Sequence, residues 1–228
     1  MEPLSHHDSI LATIQNNVYN IKLRMARAAQ RAGRAPESVK LIAVTKSAGF
    51  KETLILYQLG ITDFGENRPD KAAAKMAEMP KTATWHMIGS VQRRKAADVV
   101  TLFDVVDSVD RVEMIHALEQ RCEQLGKSLR VLLEVNVSGE ASKHGFAPHE
   151  VDSALHAAAA CSHLKVEGLM TMAPLVNDPE EVRPVFARLR DLAHGLGLSE
   201  LSMGMSNDFE VAIEEGATQV RIGTALFE

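Results

Sequence analysis

A lysine that ends one apolar run, and a serine, an arginine and a glycine-threonine pair that end two later ones, are the residues best placed to do chemistry. Lys46 closes the segment LIAVTKS, whose Leu41, Ile42, Ala43 and Val44 read as a strand buried on both faces. Such strands belong to parallel sheets, where ligands gather at the carboxyl edge. The bland alternative for Lys46 is a solvated amine where a strand meets water. Ser206 in GMSND precedes a helix-like segment, so its hydroxyl and the first free amides could receive an anion. Asp208 would compete for the same amides. Gly223 and Thr224 in RIGT follow the last apolar run and could complete an anion cradle. Read singly, Ser206 is an ordinary cap and Gly223 a close-packing position.

A phosphate held at the last two runs would leave a carbonyl carbon within reach of Lys46. An amine freed of its proton by burial or a nearby cation can condense with it as a Schiff base. Pyridoxal 5'-phosphate and a sugar phosphate both meet that description. Arg221 discriminates between them, because a guanidinium can donate to a pyridine nitrogen, although a pair with a carboxylate is as natural a role. His86 could touch a cofactor ring or carry a proton, or could be a hydrogen-bonded packing residue. Asn67 could bond a ring hydroxyl or cap a helix.

The elements that must position these groups follow from periodicity. Ile10, Ile14, Val18, Ile21 and Met25 form one stripe of a first helix, capped at Asp8 or Ser9 and closed by Gly33 and Pro36. Eight strand-like runs then alternate with helical segments, at 41–46, 63–67, 84–89, 102–110, 130–138, 165–172, 201–206 and 219–227. Pro69 suits a first helical turn, and Gly126 closes a helix. This order predicts a single-domain (β/α)8 TIM-type barrel over 1–228, with residues 1–36 as an additional N-terminal helix packing on it. An open doubly wound sheet is the rival. The strand ends would carry Lys46, Glu66 and Asn67, His86 and Gly89, Asp107, Asn136, Thr171 and Met172, Ser206, and residues 221 to 224.

Composition narrows the function. The net charge of −5 over 228 residues supplies no basic excess for nucleic acid. Cys122 and Cys161 form no disulfide framework or C-x-x-C pair, which suits a reducing cytoplasm. No apolar run is long enough for a membrane span, and MEPLSHHDSI lacks a signal-peptide core. His6, His7 and Asp8 read as a mobile terminus, and the histidines at 144, 149, 156 and 163 have no zinc spacing, so no metal is expected. Arg93, Arg94 and Lys95 read as a solvated face that could extend a positive field around the mouth.

The motifs AVTKS, FGENR, WHMIGSVQRRK, EVNVSGEASKHGF, GLMTM, SMGMSNDFEVAI and VRIGTALF, in that order, resemble the pyridoxal phosphate homeostasis protein family. The resemblance covers nearly the whole chain. It implies a fold-type III barrel similar to the amino-terminal domain of alanine racemase, without the second domain that gives that enzyme its opposing tyrosine. On matching positions it implies Lys46 as the Schiff-base residue, Ser206, Gly223 and Thr224 at the phosphate, Arg221 at the pyridine nitrogen, and Asn67 and His86 beside the cofactor. It also implies a cytoplasmic carrier or buffer of pyridoxal phosphate with no firm reaction of its own. Apo-enzymes that use the cofactor would be its partners, and a monomer is expected. The alternatives are a racemase or other fold-type III enzyme with Lys46 and a group such as His86 as its two bases, and a Schiff-base aldolase. Departures are Arg68, Arg94 and the stop at Glu228.

Overall fold

The computed structural model describes residues 6–140 and 142–228, without the side chains of residues 6–9. Eight strands form a closed, all-parallel barrel in chain order, each paired with the next and the last with the first. They are β1 (Lys40–Val44), β2 (Asp63–Glu66), β3 (Thr84–Met87), β4 (Val105–Val109), β5 (Leu129–Glu134), β6 (Leu164–Met170), β7 (Glu200–Ser202) and β8 (Gln219–Ile222). The helices are α1 (His6–Arg31), α2 (Phe50–Gln58), α3 (Pro69–Glu78), α4 (Ala96–Leu102), α5 (Val112–Leu125), α6 (Val151–Ala159), α7 (Arg183–Gly195) and α8 (Phe209–Glu214). The barrel was the expected class, and the open sheet is set aside.

Seven helices follow β1 to β7, whereas β8 is followed only by a 3-10 turn, Thr224–Leu226. Helix α1 packs against both α2 and α8, closing the ring where a helix after β8 would lie. Ile14, Val18, Ile21 and Met25 are all buried, as the stripe requires, and each such side chain contributes about 1.5 to 3 kcal/mol. Arg24 pairs with Glu210 at 2.8 Å and lies over the Phe209 ring, while Arg31 pairs with Glu214. The helix starts at His6, so Asp8 and Ser9 sit within it and not at its cap.

Most expected strands overran. Leu102 belongs to α4, and the tails after Glu134, Met170, Ser202 and Ile222 are loop or turn. In consequence Lys46, Ser206 and Thr224 lie beyond strands, on the loops that follow them.

Alternation along the strands divides two cores. Outward residues such as Leu41, Ala43, Phe64, Trp85 and Met87 join the helices in one large apolar cluster. Inside the barrel the apolar filling is small, Val105, Leu132 and Met170 with Met172 against them. Apart from Ile42, most of the remaining interior is polar: Asp63, His86, Asp107, Ser202, Gln219 and Arg221 are all buried.

Candidate functional site

The carboxyl-terminal edge gathers most of the predicted residues. Lys46 stands two residues past β1 and is exposed. Among the described residues no hydrogen bond or ion pair holds its amine, so the amine is available to a ligand. The loop beneath it is fixed from the side by a residue that sequence reasoning missed. Lys75, on α3 and 10% exposed, donates to the carbonyls of Thr45 at 2.7 Å and Ala48 at 3.1 Å and pairs with Glu66 at 2.5 Å. Thr45 Oγ1 donates to the same Glu66 oxygen at 2.7 Å. Glu66, expected at the mouth, therefore points outward into this anchor. No sequence signal marks Lys75, because nothing in the spacing of α3 shows that its amine reaches two carbonyls of another loop.

Ser206 and Thr224 line one cavity of about 510 Å³ together with Lys143, Met172, Met205 and Asn207. Neither hydroxyl has a partner among the described residues. The helix expected from 207 begins only at Phe209, and residues 206–208 are a turn. Asp208 faces back into that turn, its Oδ1 accepting from the Met205 amide at 2.6 Å. Burial pushes its carboxyl up, opposed by that amide and by Arg221. The turn depends on Gly204, whose φ of +93° suits only glycine and where a Cβ would stand 2.6 Å from that of Ala212. Gly223 presents no side chain beside Val44, where an added Cβ would make an ordinary contact at 3.4 Å. Two free hydroxyls in one cavity after β7 and β8, with a free lysine amine on the loop after β1, the strand that pairs with β8, suit a phosphate-bearing aldehyde.

Arg221 lies one layer deeper and is 4% exposed. Its Nη1 donates to Ser202 Oγ at 2.7 Å and its Nη2 to the Thr171 carbonyl at 2.8 Å. Desolvation lowers its pKa against the pull of Asp107, Glu134 and Asp208, and a guanidinium stays charged regardless. Asn67 is half-buried at the end of β2, with an uncommitted amide and close packing on Gly89. It lines a neighbouring cleft of about 590 Å³ with Arg68, Ser90, Gln92, Arg94 and Lys95. In that cleft Arg68 pairs with Asp70, and of the basic run Lys95 pairs with Asp98 while Arg94 donates to the neutral Gln92, so the run keeps most of its positive charge.

His86 is not brought to this edge. Its ring lies inside the barrel between Asp107 on Nδ1, at 3.0 Å, and Asp63 on Nε2, at 3.2 Å. It also lines a cavity of about 400 Å³ at the opposite, amino-terminal mouth, with Lys40, Val105, Arg130, Glu200 and Gln219. Burial lowers its pKa, but Asp107 and then Asp63 more than offset that and leave it raised to about 8. Inward parity with Asp63, Asp107 and Ser202 was the signal that could have found this. Glu134 was also missed. It closes β5 at 2% exposure, and burial, reinforced by Asp110, pushes its carboxyl up to about 7 against Arg221. Tyr19 is exposed on α1, and Tyr57 on α2 bonds Thr82, both away from the strand ends.

Residues 16–228 match the family profile described as alanine racemase, N-terminal domain, which is the class that the barrel and its lysine-bearing edge define. Alanine racemase of Clostridium difficile shares this fold at a TM-score of 0.72 and 14% identity, with the present chain covering 55% of it. Nearer relatives are of the chain's own length. A Pseudomonas aeruginosa protein named pyridoxal phosphate homeostasis protein is 41% identical over 220 residues, spanning 95% of this chain and 96% of the relative. One of the same name from Aquifex aeolicus is 37% identical, over 90% and 92%. Among solved structures, PipY of Synechococcus elongatus with pyridoxal phosphate bound is 35% identical at a TM-score of 0.78, over 90% and 100% of the two chains. The chain belongs to the pyridoxal phosphate homeostasis protein family.

Proposed function

We propose that this protein holds pyridoxal 5'-phosphate reversibly on Lys46 and passes it on or keeps its free level low. The observation that carries the reading is a free lysine amine on the loop after β1, two free hydroxyls sharing one cavity after β7 and β8, and a buried arginine on β8. When bound, the cofactor supplies an aldehyde carbon that joins the Lys46 Nζ as C=N with release of one water. In this reading Ser206 and Thr224 bind the phosphate, Gly223 leaves it room, Arg221 donates to the ring nitrogen, and Asn67 faces the ring's hydroxyl side. Lys75 keeps the Lys46 loop in place.

His86 is removed from the set of cofactor contacts proposed from sequence, because both its ring nitrogens are held by carboxylates inside the barrel. That geometry also weakens the racemase alternative, which needs a second base opposite Lys46. Recipient apo-enzymes, a monomeric state and a cytoplasmic location remain parts of the proposal. Among the described residues no helix is long and apolar enough to cross a membrane.

The test is an absorbance spectrum of the wild type and Lys46→Ala with added pyridoxal phosphate, followed by reduction and mass analysis. The wild type should show an imine band and a reduced adduct on the peptide bearing Lys46, and the variant neither. An adduct on a different lysine overturns the assignment. Incorporation of solvent deuterium at the α-carbon of alanine by the wild type would favour the enzyme.

A further inference from the structure

The polar interior runs as one connected path from the amino-terminal mouth to Arg221. Lys40 pairs with Asp63 at 3.2 Å, and Asp63 accepts from His86. His86 meets Asp107 Oδ1 at 3.0 Å, Asp107 Oδ2 accepts from Ser202 Oγ at 2.9 Å, and Ser202 Oγ accepts from Arg221. Five strands, β1, β2, β3, β4 and β7, thus contribute to the placing of a side chain on β8.

The direction of every bond in this path is forced. A guanidinium can only donate, so the Ser202 oxygen accepts from it and the hydroxyl proton must go elsewhere. Asp107 takes that proton's hydrogen bond because an ionised carboxylate can only accept. Its ionised form is favoured although burial opposes it, since His86, then Arg221 and Ser202, more than compensate. His86 in turn faces a carboxylate with each nitrogen and satisfies both only as the doubly protonated imidazolium. Two buried carboxylates are therefore matched by the His86 and Arg221 cations, with Lys40 at the mouth.

We infer that Ser202, Asp107 and His86 are positioning residues that set the guanidinium of Arg221 for its ligand from the opposite end of the barrel. The inference rests on the pyridoxal phosphate reading of the carboxyl-terminal edge for what Arg221 meets, but not for how Arg221 is held. Thr171 fixes only one corner of the guanidinium. Without the Ser202 oxygen the group can pivot about that corner, and Asp107 becomes its nearest buried countercharge. Without the His86 charge, Asp107 and Arg221 pair more strongly, and the arginine is drawn away from the ring.

The groups around His86 that bear on a pH profile are Asp63 on β2 and Asp107 on β4 in contact, with Arg221 on β8 beyond Asp107. Glu37 just before β1, Lys40 on β1, Arg130 on β5, Glu167 on β6 and Glu200 on β7 line the cavity that His86 faces. Deprotonation of His86 at alkaline pH should therefore be read at the carboxyl-terminal edge, on the far side of the barrel.

The experiment uses the full chain as wild type, Ser202→Ala, Ser202→Thr and His86→Gln. Two readouts are taken: the imine absorbance and cofactor affinity across pH 6 to 10, and, without cofactor, hydrogen exchange at the Arg221 guanidinium by NMR. Ser202→Ala removes a single oxygen and serves even where His86→Gln lowers expression. Expected are an affinity loss of about tenfold in Ser202→Ala, recovery in Ser202→Thr, and a displaced alkaline limb of the absorbance profile in His86→Gln. Guanidinium exchange should rise at least about tenfold in Ser202→Ala. Wild-type affinity, wild-type profiles and unchanged exchange in folded variants would overturn the inference. If the wild type forms no imine, the functional reading fails, and the exchange measurement alone decides whether the path positions Arg221.

Discussion

The interior of this barrel and its carboxyl-terminal edge handle polar groups in opposite ways. Inside the barrel, Asp63, His86, Asp107, Ser202 and Arg221 are buried and bonded to one another. At the carboxyl-terminal edge, Lys46, Asn67, Ser206 and Thr224 carry side-chain groups that no described residue satisfies. The same contrast holds between two lysines of one neighbourhood: Lys75 has three acceptors and is nearly buried, whereas Lys46 is exposed with none. A buried donor left unpaired is costly, so the partnered groups answer for the fold. The unpartnered ones are affordable only because water or a ligand reaches them. Stability effects should therefore concentrate at the bonded groups, Lys75 among them, and binding effects at the unpartnered ones.

The largest effect is expected at Lys75. Lys75→Met leaves Glu66 without its cation in a buried position and frees two carbonyls of the Lys46 loop, a loss of roughly 3 to 5 kcal/mol. Denaturant unfolding measures it, and Lys75→Arg should recover part. A loss below about 1 kcal/mol would mean that the loop holds itself and that the two lysines differ only in exposure.

A smaller effect comes from pH. The folded-state pKa of His86 is raised to about 8 from an ordinary 6.5. Its stabilisation is therefore complete below about 6.5 and lost as pH rises through 8, amounting to roughly 2 kcal/mol. Glu134, raised to about 7, acts in the same direction, since its favoured neutral form is lost as pH rises through 7. Asp63, held down to about 2 by His86, Thr62 and Lys40 against the effect of burial, keeps its contribution until pH falls well below 4. Unfolding free energies should then decline from pH 6.5 to 9 in the wild type and decline less in His86→Gln and Glu134→Gln. A flat wild-type profile would show that the interior path is not charged as drawn. Thr45→Val, which removes one donor to Glu66 but leaves Lys75 in place, should cost about 1 kcal/mol at any of these pH values.

The difference between the bonded interior and the open edge also explains what could be read from sequence. The barrel was legible because eight apolar runs alternate with helical segments, and β1 to β8 close in that order. Lys46, Ser206 and Thr224 were legible because a residue at a strand end needs only its position to be placed on the edge. His86 was misplaced because a strand residue's depth depends on the register and stagger of its neighbours. Residues 84–87 alone do not show that Asp63 and Asp107 flank the ring. Lys75 and Ser202 were invisible for a related reason: their roles are contacts across 27 and 19 residues of chain, to Ala48 and Arg221, and no local pattern carries them. Strand ends were overrun for a simpler one. Val135, Val137 and Met203 are apolar and buried, and burial in a loop beside the barrel looks like burial in a strand.

The smallest stability effects should come from the residues that matter most for binding. Ser206→Ala and Thr224→Val each remove a hydroxyl that no described residue uses, so no buried group loses a partner. Each should change unfolding free energy by no more than about 0.5 kcal/mol. Affinity for pyridoxal phosphate should nonetheless fall about tenfold for each, because a phosphate oxygen loses one direct donor. Affinity for pyridoxal, which carries the aldehyde without the phosphate, should not change. Titrating both compounds against the two variants separates the cases. Equal losses for both compounds would place the hydroxyls at the ring or the aldehyde. A marked stability loss would mean that Ser206 and Thr224 belong with the bonded interior, and the division between interior and edge would then fail at the cradle itself.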